Sequence, residues 1–213
     1  MPDFLIDGPQ DGPCLILAHG AGAPMDIDFM NVMAGLIAAQ GIGVMRFEFD
    51  YMARRRTTGK KAPPPKAERL IDEFKSAIAA AGVERPFIGG KSLGGRVASM
   101  CADELHAAGS IAGLVCLGYP FHPTGKPHSL RTAHLEDIAC PVLIVQGERD
   151  PFGNVEEIAG YKLARAIGFH YAPFGDHDLS PPKRSGRTAS DNWRDCAAAI
   201  GEFVKRVGAD QAF

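Results

Sequence analysis

Ser92 stands in the pattern Gly90-x-Ser92-x-Gly94, which has the spacing of a nucleophile elbow. In such an elbow a strand turns sharply into a helix and presents a serine hydroxyl at the tip. Glycine is needed on both sides because strand and helix cross so closely that a Cβ would clash. The same pattern is also found in plain glycine-rich turns. Chemistry at Ser92 therefore requires a base, an acid and oxyanion donors from elsewhere in the chain.

His177 is the best candidate for the base, because a serine hydroxyl is a poor nucleophile until a neighbouring group takes its proton. It lies between the last predicted strand and the final predicted helix, where a loop could place its imidazole over the elbow. His19 is expected to shape its own glycine-rich loop. Three further histidines follow a different strand and stay open as residues of the pocket rim: His122, His128 and His134.

Asp150 is the candidate for the carboxylate that orients the base. It follows a buried apolar run directly, and Pro151 stiffens the chain behind it. Glu148 is a competitor two residues earlier. Asp176 and Asp178 also compete, but they are too close in sequence to His177 to reach its ring nitrogen comfortably. The favoured order along the chain is therefore Ser92, Asp150, His177.

Two backbone amides are the expected donors to an oxyanion. Leu93 directly follows the nucleophile and opens a helix, so its amide points toward the serine hydroxyl. The second donor should come from the loop after an early strand. Ala21 is the favoured residue there and Gly22 the alternative, since glycines in this loop let the backbone approach a substrate.

Short apolar runs alternate with helical patterns along the chain, which predicts an α/β fold. Strands are predicted over 14–18, 44–49, 86–88, 111–117, 141–147 and 169–172. Helices are predicted over 29–40, from 65 through 78, over 93–108, over 155–167, and through Trp193–Val207 with an end at Gly208. The stretch 51–66 has no periodicity and is predicted to be a long loop. This pattern indicates one domain with a mostly parallel sheet and helices on both faces, whose ligands lie beyond the carboxyl ends of the strands.

Composition excludes several classes of function. The chain has 213 residues and a net charge of −2, so no pull toward nucleic acid or membranes is expected. No signal peptide and no apolar run of membrane-spanning length is evident. The five scattered cysteines indicate buried free thiols in a reducing compartment, so we expect a cytoplasmic protein. We expect no metal and no cofactor.

The chain resembles the α/β-hydrolase superfamily over essentially its whole length. The segments His19-Gly20-Ala21-Gly22-Ala23, Gly89-Gly90-Lys91-Ser92-Leu93-Gly94-Gly95-Arg96 and Gly147-Glu148-Arg149-Asp150 are similar to those of small, lidless bacterial hydrolases, a group that itself resembles the dienelactone hydrolases. The resemblance implies a minimal hydrolase core with a Ser-Asp-His triad, and no particular substrate. The chain departs from dienelactone hydrolases proper at Ser92, where they use cysteine, and this puts their lactone substrate in doubt.

The sequence therefore predicts a serine hydrolase that cleaves a carboxylic ester or thioester through an acyl-enzyme on Ser92. The alternative is a non-catalytic scaffold or interaction protein that retains the fold. Acyl transfer to an acceptor other than water stays open, because the sequence does not separate it from hydrolysis. Basic residues follow two predicted strands at the edge that carries Ser92, and they support the hypothesis of an anionic acyl substrate bound at the rim. These candidate rim residues are Arg54, Arg55, Arg56, Lys183 and Arg184, with Lys60, Lys61, Lys66 and Arg187 nearby.

Overall fold

A seven-stranded sheet forms the centre of the protein, in a computed structural model that describes residues 3–60 and 63–210. The strands are β1 (Leu5–Asp7), β2 (Cys14–Ala18), β3 (Gly43–Phe47), β4 (Phe87–Lys91), β5 (Gly113–Leu117), β6 (Val142–Gly147) and β7 (Ile167–Ala172). Their order across the sheet is β1-β3-β2-β4-β5-β6-β7. β1 pairs antiparallel with β3, and the remaining pairs are parallel. The predicted mostly parallel α/β fold is therefore confirmed.

Helices cover both faces of the sheet. They are α1 (Asp28–Ala38), α2 (Asp50–Thr58), α3 (Ile71–Ala81), α4 (Leu93–Ala107), α5 (Val155–Ile158) and α6 (Ala189–Asp210), with short 3₁₀ helices at Ala67–Leu70, Ala133–Leu135 and Lys183–Ser185. Buried side chains of α1 and α6 pack on one face, and those of α3 and α4 pack on the other. The central strands β2, β4, β5 and β6 are buried at every residue, which explains their unbroken apolar runs.

The chain reverses its direction across the sheet between β2 and β4. From β2 it crosses to β3 on one side, and it returns to β4 on the other side. In open parallel sheets, ligands bind beyond the carboxyl ends of the strands at such a reversal. Ser92 follows β4 directly, so it lies at this point of the fold.

The predicted loop over 51–66 is wrong in its first half, because α2 spans Asp50–Thr58. Only Tyr51 and Met52 of this helix are buried, so it lacks the apolar stripe that reveals an amphipathic helix. Ion pairs hold it instead: Arg56 bonds Glu48 at 2.7 Å and Asp26 at 2.6 Å. Residues 61 and 62 lie outside the described ranges.

Two predicted helices also need correction. The predicted helix over 155–167 ends at Ile158, after a capping box between Asn154 and Glu157. The chain then turns, and Gly168 lies inside β7, opposite Leu143, rather than at a helix end. The final helix continues through Gly208 to Asp210. Strand β1 was not predicted; it has three residues and pairs only along one edge.

The five cysteines are free and buried, as predicted. Burial raises the pKa of the Cys14 and Cys101 thiols to about 11, so neither is a thiolate at neutral pH. Among the described residues, no helix is long and apolar enough to cross a membrane.

Candidate active site

Ser92 occupies a strained turn between β4 and α4. Its φ of 51° and ψ of −111° lie in a region of backbone conformation that residues other than glycine rarely adopt. The close crossing behind this turn requires glycine, since a Cβ on Gly94 would lie 2.5 Å from the carbonyl oxygen of Ala18. The elbow geometry expected from the sequence is thus present, and the helix begins at the residue after the serine.

The structure brings His177 to Ser92 from a loop 85 residues further along the chain. Its Nε2 lies 2.9 Å from the Ser92 hydroxyl, and its Nδ1 lies 2.8 Å from Oδ2 of Asp150. Asp150 is fully buried and the His177 side chain is 21% exposed. Because a carboxylate accepts hydrogen bonds, Nδ1 carries the proton and Nε2 is free to accept the serine proton. This is the arrangement of a nucleophile, a general base and an orienting acid.

The Asp150 carboxylate receives two further hydrogen bonds that hold it in place. The Phe152 amide donates to its Oδ1 at 2.8 Å, and the Gln146 amide nitrogen donates to its Oδ2 at 3.0 Å. Gln146 is fully buried and also bonds both backbone groups of Tyr119. It therefore fixes the acid against the end of β5. Sequence reasoning missed Gln146, although a lone amide at the end of the apolar run of β6 was a signal.

Lys91 is a second residue that the sequence did not single out. It directly precedes the nucleophile, and only 5% of its surface is exposed. Its ammonium donates to the carbonyl oxygen of His177 at 2.7 Å and pairs with Asp178 at 3.2 Å. Burial lowers the Lys91 pKa and Asp178 opposes that shift. Lys91 thus ties the loop that carries the base to the strand that carries the nucleophile.

The other acids that competed with Asp150 have different partners. Glu148 accepts a hydrogen bond from the Phe174 amide, and Asp176 accepts from the amides of Asp178 and Ser180. Asp178 pairs with Lys91. All three therefore build the histidine loop rather than contact the imidazole. The approach of this loop is close, because a Cβ on Gly147 would overlap the carbonyl oxygen of Asp176.

Ala21 lines the same cavity as Ser92 and Leu93, as an oxyanion donor must. The loop is held from behind, because the Tyr51 hydroxyl donates to the carbonyl oxygen of Ala21 at 3.0 Å. Leu93 is the first residue of α4, and the first amides of a helix have no partner within the helix. Both backbone segments thus reach the cavity beside the serine. The alternative, Gly22, is exposed, and its carbonyl oxygen accepts from Arg55.

His19 is fully buried and shapes the Ala21 loop, as expected. Its Nδ1 lies 2.6 Å from the carbonyl oxygen of Gly20, and its Nε2 lies 3.2 Å from the Phe49 amide nitrogen. Nδ1 is therefore the donor and Nε2 the acceptor, so the ring is neutral. Burial lowers the His19 pKa from 6.5.

We expect the protein to lose stability when the pH falls below about 6.5, the ordinary histidine value. With its pKa lowered, folded His19 binds fewer protons than the unfolded chain in this range. The stabilisation is complete above the unfolded pKa, and it falls by at most about 1.4 kcal/mol per pH unit below it. Urea unfolding between pH 7.5 and 5.5 measures the trend, and NMR titration reads the His19 ring directly. A ring that is half protonated at or above pH 6.5 would contradict the prediction.

Within the described part of the chain, no hydrogen bond or ion pair joins His122, His128 or His134 to Ser92, Asp150 or His177. His122 is buried with its Nε2 3.4 Å from Glu157, His134 bonds the Ser99 hydroxyl at 2.8 Å, and His128 is exposed. None of these three is among the residues that line the Ser92 cavity within the described part of the chain. The ring beside His177 is instead Phe152, with a centroid separation of 4.4 Å.

The cavity over Ser92 has a volume of about 600 Å³. Its ionised lining residues are three cations and one carboxylate: Lys66, Arg96, Arg131 and Glu68. The rim residues predicted from sequence are not in this lining: Arg54, Arg55, Arg56, Lys183 and Arg184. Arg56 is engaged by Glu48 and Asp26 and borders a different cavity. Positive charge therefore does lie beside Ser92; Lys66 of the predicted basic stretch contributes to it, whereas Arg96 and Arg131 were not predicted there.

A family described as an alpha/beta hydrolase domain matches residues 11–205. The chain belongs to this family. Residues 118–141, which follow β5, hold only the 3₁₀ helix Ala133–Leu135, so this α/β hydrolase has no helical lid in that stretch.

Solved structures of other α/β hydrolases superimpose over most of the chain. A dienelactone hydrolase from Anabaena variabilis has a TM-score of 0.69 at 16% identity, covering 95% of this chain and 90% of its own. A serine hydrolase without lid from Xanthomonas campestris superimposes with a TM-score of 0.64 at 17% identity, covering 96% of this chain and 88% of its own. A serine hydrolase homologue from Coxiella burnetii superimposes with a TM-score of 0.68 at 15% identity, covering 93% of this chain and 89% of its own. These likenesses show a shared fold.

Proposed function

We propose that the protein is a serine hydrolase that cleaves a carboxylic ester or thioester through an acyl-enzyme on Ser92. The observation that carries the proposal is the continuous contact from Ser92 Oγ to His177 Nε2 at 2.9 Å, and from His177 Nδ1 to Asp150 at 2.8 Å. Two of the superimposable proteins are described as serine hydrolases or their homologues, which supports the same reaction class.

In the first half-reaction, the Ser92 oxygen attacks the acyl carbonyl while His177 Nε2 takes the hydroxyl proton. Asp150 stabilises the imidazolium through the Nδ1 proton. The amides of Leu93 and Ala21 are the proposed donors to the tetrahedral oxyanion. The carbonyl re-forms, the bond to the leaving alcohol or thiol breaks, and His177 gives that group its proton.

In the second half-reaction, water attacks the acyl-enzyme. His177 takes a proton from the water and returns it to Ser92 as the acid leaves. Water is the only co-substrate of the two half-reactions, and neither step as written uses a metal or cofactor. The absence of a helical lid after β5 favours a small or exposed substrate over one that needs an enclosed tunnel.

Covalent labelling with a fluorophosphonate probe tests the proposal, since the probe phosphonylates an activated serine. We expect stoichiometric labelling of the wild-type protein and complete loss of labelling in Ser92→Ala. Ser76→Ala is the matched control, because Ser76 is exposed on α3. Labelling that survives Ser92→Ala would overturn the assignment of the nucleophile. A folded wild-type protein that does not label would favour the non-catalytic scaffold.

A further inference from the structure

Two arginines line the cavity beside Ser92, and they come from different elements. Arg96 lies on α4, four residues after the nucleophile, and its amide donates to the carbonyl oxygen of Ser92 at 3.0 Å. Arg131 lies in the loop between β5 and β6. Its backbone is fixed, because its amide donates to Phe121 at 2.8 Å and its carbonyl accepts from the Tyr119 hydroxyl at 2.9 Å.

The two guanidinium groups have few protein partners for the number of donors they carry. Arg96 makes one ion pair, at 3.1 Å, with the exposed Glu68. Its Nε is buried and has no hydrogen-bond partner in the described part of the chain. Among the described residues, the Arg131 side chain makes one hydrogen bond, a long one of 3.5 Å to the carbonyl oxygen of Pro120. Guanidinium groups carry five donors each, so most of this donor capacity is open.

The two positive charges also oppose each other. Burial lowers the pKa of Arg131, and the charge of Arg96 lowers it further. An anion bound between the guanidinium groups would relieve this repulsion and fill the open donors. A planar carboxylate matches the guanidinium fork with two parallel hydrogen bonds.

We propose that Arg96 and Arg131 bind a carboxylate on the acyl part of the substrate, a few carbon atoms from the carbonyl that Ser92 attacks. The proposal rests on the hydrolase function above and names the substrate class: half-esters of short dicarboxylic acids. The position of the arginines indicates that this carboxylate belongs to the acyl part of the substrate and not to the leaving group. The leaving group departs toward His177, on the loop after β7, whereas α4 and the loop after β5 supply the arginines.

Substrate pairs that differ in one charge test the proposal. Monoethyl glutarate and ethyl pentanoate have acyl chains of equal length, and only the first carries a carboxylate. We expect kcat/KM to favour the glutarate ester by about tenfold to a hundredfold, the range for hydrogen bonds to a charged group. Arg131→Met should lower that ratio at least tenfold, and so should Arg96→Met. Arg165→Met is the control, because Arg165 is exposed and lines a different cavity.

Equal kcat/KM values for the two esters in the wild-type protein would overturn the proposal. So would a preference for the glutarate ester that survives both arginine substitutions. In either case the hydrolase function stands, because the protein still turns over both esters. Arg131 is a suitable first variant, since among the described residues its side chain makes one long hydrogen bond, to Pro120, and its loss should leave the fold intact.

A binding measurement separates this proposal from the catalytic one. Ser92→Ala protein should bind monoethyl glutarate at least tenfold more tightly than ethyl pentanoate, and Ser92→Ala/Arg131→Met should lose the difference. Calorimetry or ligand-observed NMR reads both without turnover. Selective binding in a protein that neither labels nor hydrolyses would overturn the hydrolase function and support the carboxylate site. Absence of selective binding would overturn the carboxylate site.

Discussion

Asp150→Asn is expected to lower kcat for ester hydrolysis by about 10⁴-fold, the loss known for the equivalent change in a Ser-His-Asp protease. An asparagine whose oxygen keeps the bond from the Phe152 amide places its own amide protons at the Oδ2 position, toward His177. The imidazole then places its remaining proton on Nε2, where it can no longer accept the proton of Ser92. The negative charge that stabilises the imidazolium is also lost. Both effects act on the transition state, so KM should change little.

The measurement is steady-state hydrolysis of a neutral ester by the wild type and by Asp150→Asn, together with the rate of fluorophosphonate labelling. Asp137→Asn is the matched control, because Asp137 is exposed in the loop before β6. A loss smaller than tenfold would show that another group orients His177. Circular dichroism of the variant separates this result from unfolding.

Lys91→Met is expected to lower kcat by about a hundredfold, the cost of a displacement of about 1 Å in a catalytic group. The variant removes the 2.7 Å bond from Nζ to the carbonyl oxygen of His177 and releases Asp178. The loop that carries the base then loses its link to β4. Methionine fills similar volume in the buried site, and Asp178 is exposed, so no unpaired charge is left buried and the free energy of unfolding should change little.

If Lys91 positions the histidine loop, its substitution should lower kcat without lowering the free energy of unfolding. We expect a slower kcat and slower labelling by the probe, with an unchanged urea midpoint. Lys162→Met is the control, since Lys162 is exposed and pairs with Glu136 at 2.7 Å. Wild-type kcat in Lys91→Met would show that the histidine loop holds its position without this bond. A loss of activity that follows a loss of stability would show a structural role only.

Sequence patterns predicted the elements that bury continuous or periodic apolar surface. β2, β5, β6 and α6 are of this kind, and each was located to within a few residues. The wrong predictions concern elements whose bounds depend on contacts between residues that are distant in the chain. α2 depends on the ion pairs of Arg56 with Glu48 and Asp26, which join residues 8 and 30 positions apart. α5 ends at Ile158, whereas the prediction extended it to residue 167. Ile167 and Gly168 belong to β7 and pair with β6, so sheet pairing determines the end of this stretch.

The candidate site divides in the same way. The residue types and chain order at Ser92, Asp150 and His177 predicted a triad, since each stands at the exit of an apolar run. The residues that hold these three side chains in place were not predicted from the sequence. Gln146 and Lys91 matter through contacts with residues that are distant in the chain or separated by a turn, and such contacts leave no periodicity. The five predicted rim residues do not line the cavity, and one of them, Arg56, is bound by two carboxylates. The sequence shows where charges are but not which of them are already paired.

The elbow at Ser92 was thus determined by the sequence alone. Its glycines have no substitute where strand and helix cross, so the local pattern specifies the turn and the exposed hydroxyl. Only the tertiary structure decided what surrounds that hydroxyl. The sheet order places β4 between β2 and β5, so loops from the whole chain converge on the serine. The cavity there is lined by Arg96 and Arg131, which have few partners among the described residues, and by Lys66, whereas Arg54, Arg55, Arg56, Lys183 and Arg184 do not line it.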